Sequence, residues 1–332
     1  MTNPTLKNPD QITPKNSLSN SPLNFLHSLW KFSRPHTIIG TTLSVFSLYI
    51  ITQYTLKNSQ FNIEIINLLT TWIACLCGNI YIVGLNQIED IEIDKINKPH
   101  LPIAAGEFTP KQAKIIVILT GILSLLIAAY TGPFLLAMVG ISLTLGTAYS
   151  LPPIRLKRYP FWASFCIFTV RGIIVNLGLY LHFNDILKTT SHPIKNLNSL
   201  PQIPPQISLL TLFILIFTFA IAIFKDIPDI EGDRKYNIST FTLKLGAPAI
   251  FKLSLWVITT CYITITLAAL IFLPQKTALF LCISHLLTLI LLWWNSQKIN
   301  LQDKIEIAKF YQFIWKLFFL EYLLFPAACL LG

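Results

Sequence analysis

Long apolar runs alternate with short polar stretches along most of this chain. A helix that crosses a bilayer needs about 20 mostly apolar residues. Nine stretches meet that demand, at roughly 37–56, 67–88, 113–131, 133–151, 161–182, 207–224, 249–272, 277–294 and 309–331. The pattern predicts an all-α, multi-pass membrane protein. Thr109-Pro110 opens the third helix as an N-cap followed by proline at the first helical position. Only Thr131-Gly132-Pro133 separates the third helix from the fourth, so those two pair antiparallel. Residues 1–25 are rich in Asn, Pro, Ser and Thr and lack the apolar core of a secretory signal. They read as a disordered tail. Residues 26–332 read as one membrane domain, with the stretch at about 184–206 as a surface loop.

Composition supports this class. Charged residues make up 12% and hydrophobic ones 53% of the 332, against roughly 25% charged in soluble domains, and the mean hydropathy is +0.61. A net charge of +10 would suggest nucleic acid in a soluble chain. In a membrane protein it reflects the Lys and Arg of cytoplasmic loops instead. With the N-terminus on the cytoplasmic side, 20 of the 25 Lys and Arg fall on that side and four on the other, with Arg171 inside a span. Nothing points to an obligate protein partner. The six cysteines (75, 77, 166, 261, 282 and 329) lie within apolar runs and read as small buried hydrophobes.

Against this apolar background the acidic residues stand out. Asn86, Asp90 and Asp94 recur at every fourth position, which on a helix spreads their oxygens along one face over about 12 Å. Hard oxygen ligands in a row suit Mg²⁺. Asp229-Ile-Glu-Gly-Asp233-Arg repeats the pattern of Asp90-Ile-Glu-Ile-Asp94-Lys 139 residues later, again directly after an apolar run. The motifs follow the second and sixth spans, which suggests two four-helix halves with a ninth helix appended. In the second motif Lys225 replaces Asn86, Asp226 adds a carboxylate, and Pro228 should break the helix, so that Asp229 and Asp233 start a new one. Glu92 and Glu231 point away from the Asp faces and read as solvated or loop-pairing residues.

Cations supply the complement. Arg155, Lys157 and Arg158 form a short basic loop after the paired prolines 152 and 153, either as a membrane flank or as a clamp for a diphosphate leaving group. Arg171 lies within a span and is by default a functional residue, its partner an acidic cluster or a bound phosphate. Asn176 is a weaker candidate or a helix bridge, and Arg34 sits at the mouth of the first helix. No Gly-rich phosphate loop, zinc spacing or Ser/His/Asp set is present, and the six histidines do not cluster in the sequence.

These residues resemble the UbiA-superfamily prenyltransferases, nine helices around a central cavity with two Asp-rich motifs on one face. Asn86-x3-Asp90-x3-Asp94 is similar to the family's first motif and Asp229-x3-Asp233 to its second. Within the family, Phe32 to Thr41, Asn86 to Phe108, Tyr149 to Pro153 and Lys225 to Asp233 resemble the homogentisate prenyltransferases, which use phytyl or solanesyl diphosphate. The family's Tyr-x3-Lys has no direct counterpart, since Pro153 stands four residues after Tyr149, and Lys157 is its stand-in. The resemblance implies that Asn86, Asp90, Asp94, Asp226, Asp229 and Asp233 hold Mg²⁺. It implies that Arg34, Tyr149, Lys157, Arg171, Asn176 and Lys225 hold the diphosphate or the aromatic acceptor. The reaction implied is transfer of a phytyl-like group from a prenyl diphosphate to homogentisate with loss of CO₂, in a cyanobacterial or plastid membrane. Chlorophyllide or a 4-hydroxybenzoate-type ring is the alternative acceptor, and a transporter with paired halves the alternative class.

Overall fold

A computed structural model of the chain describes residues 22–56, 65–191, 201–236 and 238–331. Of the expected tail, residues 1–21 lie outside the described residues. Residues 22–25 instead begin a short amphipathic helix, α1 (Pro22–Phe32), which buries Phe32 and exposes Leu23 and Leu26. Eleven residues are too few to span a bilayer.

Nine spans are found among the described residues. They are α2 (Pro35–Thr55) and α3 (Ile65–Glu89), then, after the short α4 (Ile91–Asn97), α5 (Pro110–Thr131) and α6 (Pro133–Ser150). The fifth combines α7 (Pro160–Phe168), a π-helical turn at Thr169–Ile174 and α8 (Val175–Ser191). The sixth is α9 (Pro205–Phe224). Two short helices, α10 (Ile230–Lys235) and α11 (Phe241–Leu245), precede α12 (Ala247–Phe272), α13 (Gln275–Ser296) and α14 (Lys304–Leu331).

Prolines set many of the starts. Pro35, Pro110, Pro133, Pro160 and Pro205 each occupy the first helical position, where a missing N–H costs no hydrogen bond. At Thr109 the expected cap is a full capping box: its hydroxyl accepts from the Gln112 N–H, and the Gln112 amide oxygen accepts from the Thr109 N–H at 2.9 Å. The loop expected at 184–206 is shorter than the sequence suggests, because α8 runs to Ser191 and α9 begins at Pro205; residues 192–200 lie outside the described residues.

The two halves are visible in the packing. Helix α3 packs on α5 as α9 packs on α12, and each of α3 and α9 leads into a short helix. Those short helices, α4 and α10, touch each other at one end of the bundle, and α14 closes the ring against α2, α9 and α13. Residues such as Ile118, Leu126, Ile271, Leu286 and Ile290 point outward on α5, α12 and α13. Such a surface would be a liability in water and is the ordinary exterior of a protein in lipid. Every cysteine is free.

Candidate active site

The acidic residues lie where each leading helix of a half runs out. Helix α3 stops at Glu89, and Asp90 (φ −113°, ψ 19°) interrupts it before α4 starts. One continuous helical face through Asn86, Asp90 and Asp94 is therefore corrected, although Asp90 N–H still donates to the Asn86 carbonyl and Asp94 N–H to that of Asp90. Two carboxylates four apart oppose an unbroken helix, and the Asp90 carboxylate is drawn sideways to other partners. In the second motif the break falls as expected. Helix α9 ends at Phe224, Pro228 lies in the gap, and Asp229 immediately precedes α10, which carries Asp233.

Three of the carboxylates are already paired. Through one oxygen Asp90 forms an ion pair with Lys157 at 2.7 Å and accepts from Arg155 at 3.2 Å, and through the other it accepts from the Asn86 amide at 2.7 Å. Asp226 pairs with Lys225 at 2.8 Å, and Asp229 pairs with Lys98. The Lys98 pair joins the halves, with α4 supplying its cation to the motif of α10. Asn97 does the same with its amide, accepting from the Gly232 N–H at 2.9 Å while its Nδ2 faces Asp233 at 3.5 Å. Gly232 has no alternative here, because a Cβ at that position would collide with the Asn97 amide.

Asp94 and Asp233 are different. Burial, with repulsion from neighbouring carboxylates and despite Arg34 and Lys98, raises Asp94 to about 6. Burial, then Asp229 and Asp226, raises Asp233 to about 7. One Asp94 oxygen is fully enclosed without a hydrogen-bond partner. Burial also works against the ammonium of Lys225, but Asp226, Tyr149 and Asp229 outweigh it and hold its pKa well above the ordinary value. For Lys157, burial prevails and the pKa falls.

No three His, Cys, Asp or Glu side chains among the described residues are close enough to grip an ion. Lysine ammonium groups stand among the carboxylates. The donor set still suits a hard cation: carboxylates from both halves, one with an orphaned buried oxygen and two reluctant to ionise without a counter-charge. Glu92 and Glu231 take no part. They make exposed pairs with Lys95 and Lys304.

Both motifs open into one cavity of about 1030 Å³. Its mouth holds the acidic residues with Arg34, Tyr149, Lys157 and Lys225, and its interior is apolar, with Met138, Val139, Leu143, Phe318 and Phe319 on the walls. Arg34 (φ 53°) holds a left-handed backbone there, as does Arg155 (φ 39°) behind Asp90. Strain at non-glycine residues is typical of constrained functional sites.

Arg171 lies deeper in the same cavity, on the π-helical turn. Among the described residues it pairs with no carboxylate. Its guanidinium sits 4.8 Å from the Trp315 ring centre and 5.7 Å from that of Phe318, an arrangement worth about 2 kcal/mol when desolvated. Of the two expected partners, an acidic cluster or a bound phosphate, the acidic cluster gives way to aromatic rings. Asn176 does not line the cavity. It is fully buried, its Nδ2 donates to the Arg171 and Gly172 carbonyls at 3.1 and 2.6 Å, and its Oδ1 accepts from the Tyr322 hydroxyl at 3.1 Å. Its place is behind the π turn, as a brace rather than a substrate ligand. Gly172 lets this turn lie against α9, where a Cβ would meet the Leu215 Cα at 2.7 Å.

Sequence reasoning missed Lys98 and Asn97. Lys98 follows Asp94 by one helical turn, the only local hint. Nothing in the spacing says that it crosses to Asp229.

The geometry can be set beside known proteins. The sequence pattern of the UbiA prenyltransferase family matches residues 44–317. The homogentisate phytyltransferase of Synechocystis sp. is 52% identical over 305 residues, covering 91% of this chain and 96% of that protein. The chloroplastic homogentisate solanesyltransferase of Arabidopsis thaliana is 39% identical over 311 residues, covering 91% and 76%. Among solved structures, a UbiA homolog from Archaeoglobus fulgidus bound to GPP and Mg²⁺ superposes with a TM-score of 0.59 at 14% identity, covering 90% of this chain and 99% of that one. That last likeness is one of fold.

Proposed function

The chain belongs to the UbiA prenyltransferase family, and from that premise we propose that it moves a phytyl-like group from its diphosphate to homogentisate with loss of CO₂. The product would be a methyl-prenyl-benzoquinol of the tocopherol or plastoquinone type. The observation that carries this reading is the shared cavity, which joins two acidic motifs at a charged mouth to an apolar interior with Arg171 on its aromatic wall. The names of the relatives from Synechocystis and the Arabidopsis chloroplast favour homogentisate as acceptor.

Asn86, Asp90, Asp94, Asp226, Asp229 and Asp233 would hold Mg²⁺, as their oxygen chemistry allows. Bound there, the ion would supply charge neutralisation for the departing diphosphate. Lys157, Lys225, Lys98 and Arg34 add positive charge at the same mouth, with the Tyr149 hydroxyl beside them. Arg171 takes the acceptor carboxylate. Its planar fork matches a carboxylate, and aromatic stacking leaves its N–H groups for that use.

The steps follow from this placement. The allylic C–O bond breaks with its electron pair leaving on the diphosphate, a ring carbon bonds the allylic carbon, and the ring loses a proton. The side-chain carboxylate leaves as CO₂ and a proton takes its place, so methyl remains. The apolar walls keep water from the carbocation, which would otherwise hydrolyse. With lysine and arginine crowding the motif-bearing end, that end belongs on the cytoplasmic or stromal side, of a cyanobacterial or plastid membrane, with residues 26–332 as its one membrane domain.

The test supplies purified membranes carrying the protein with Mg²⁺, homogentisate and phytyl, geranylgeranyl or solanesyl diphosphate, and identifies products by mass. A methyl-prenyl-quinol from at least one donor is expected. Failure with all three, combined with turnover of chlorophyllide or 4-hydroxybenzoate, would overturn the acceptor.

A further inference from the structure

Prenylation of an aromatic ring releases the proton of the carbon that is substituted, and a base must receive it. The paired carboxylates at the mouth are poorly placed for that task. Asp90 is occupied by Lys157 and Arg155, Asp226 by Lys225 and Asp229 by Lys98, while the unpaired Asp94 and Asp233 belong to the proposed Mg²⁺ set. His100 lines the cavity only at its exposed rim.

His36 stands apart from these. It follows Pro35 in the first turn of α2, it is half-buried, and it lines the cavity. Its ring lies 4.7 Å from that of Trp315, centre to centre, and the same indole carries the Arg171 guanidinium at 4.8 Å. Among the described residues, nothing hydrogen-bonds either imidazole nitrogen. The charged groups that act on it are Arg34 from its own end of α2, Arg171 across the cavity and Lys98 beyond α4. None of them can accept a proton. An acceptor held by its carboxylate on Arg171 would have its ring beside the same indole, on which the imidazole also rests.

We propose that His36 is the catalytic base that takes the ring proton. The allylic carbon has by then bonded the ring through one of its π pairs. The ring C–H bond breaks, its electron pair restores aromaticity, and the proton passes to the free imidazole nitrogen and on to water at the mouth. Trp315 holds the imidazole in place through a tilted ring contact, with 54° between the two planes. The inference rests on the proposed acceptor chemistry, with Arg171 as the anchor.

His36→Phe tests it, since phenylalanine keeps a ring against Trp315 and removes the base; His36→Gln is made alongside in case the bulkier apolar ring disturbs insertion. Binding of prenyl diphosphate reports that each variant folds. Turnover should fall about a hundredfold, while KM for homogentisate and for the prenyl diphosphate stays within about threefold of wild type. Ring-deuterated homogentisate supplies the readout that mere loss of packing cannot mimic. The wild type should turn it over at the rate of the unlabelled acceptor, whereas both variants should show a primary isotope effect, because proton removal has become slow. Turnover within about threefold of wild type, or a large fall with no isotope effect, would overturn the assignment. Wild-type turnover of homogentisate is measured in the same series. An inactive wild type would mean that the acceptor reading has failed, and an active variant that only the base has.

Discussion

The two acidic motifs correspond residue for residue, yet they are neutralised by different plans. Asp90 and Asp229 match across the 139-residue offset, and each holds a lysine. Asp94 and Asp233 also match, and each is a buried carboxyl with a raised pKa. The first motif draws its cations, Arg155 and Lys157, from the loop that follows α6 in its own half. The second carries Lys225 where the first has Asn86, and borrows Lys98 from the other half. The first motif takes its ion-pair partners from its own half, and the second needs its neighbour. That dependence explains why α4 and α10 touch. Register between the halves is part of how the second motif is built.

The strongest way to break this comparison is to remove the matched pair. Asp90→Ala and Asp229→Ala should each lower prenyl transfer by about a thousandfold or more, as loss of a central electrostatic group does. Stability should separate them. Asp90→Ala strands Lys157 and Arg155, whose side chains are 8% and 17% exposed, and leaving a buried charge unpaired costs about 3–5 kcal/mol. Asp229→Ala strands Lys98, 32% exposed, which can turn to water. The Asp90 variant should therefore show the lower apparent melting temperature in detergent. Retained turnover in either variant would refute the paired-motif site, and equal melting would refute the asymmetry.

Much of this was legible before any coordinates. Span number, the antiparallel pair at Thr131–Pro133 and both acidic motifs depend on hydropathy and spacing along one stretch of chain, and these are local properties. The helix break at Pro228 was readable for the same reason, because proline carries its constraint with it. The break at Asp90 was not. It depends on Arg155 and Lys157, which arrive from 65 and 67 residues away. Asn176 looked like a polar residue in a span and could not be told from a ligand, since its partners are the carbonyls of a π turn that leaves no mark in hydropathy. Lys98 looked like one more positive flank until α10 was placed opposite it. What the sequence concealed is tertiary in each case.

A pH series sharpens the comparison further. In the unfolded chain Asp94 and Asp233 titrate near 3.9, while in the folded protein they titrate at about 6 and about 7. Folding therefore takes up protons, and the stability each group contributes is fully present below its unfolded pKa and is lost as pH rises through the folded one. Without divalent cation, the apparent melting temperature should fall as pH is raised from about 4 to about 7. Asp94→Asn should remove the part of that fall that ends near pH 6, and Asp233→Asn the part that continues to about 7. Added Mg²⁺ should flatten the slope by replacing the protons. A melting temperature that rises with pH over this range would contradict the raised values.

The smallest expected effect tests the contact between the halves itself. Ile93 in the first motif corresponds to Gly232 in the second, and the difference has a visible cause, because the Asn97 amide lies where a Cβ of residue 232 would go and accepts from the Gly232 N–H. Gly232→Ala should push Asn97 aside at a cost of about 1–3 kcal/mol, as overpacking does. Asn97→Ala should cost about 1–3 kcal/mol by leaving a half-buried N–H unsatisfied. The double variant should be less destabilised than the two losses added together, because the alanine methyl at 232 then finds the space that the amide has left. Measured as apparent melting temperatures of the four proteins, that shortfall is the signature of direct contact between α4 and α10. Strict additivity would mean that Asn97 and Gly232 act separately, and that Lys98 alone ties the second motif to the first half.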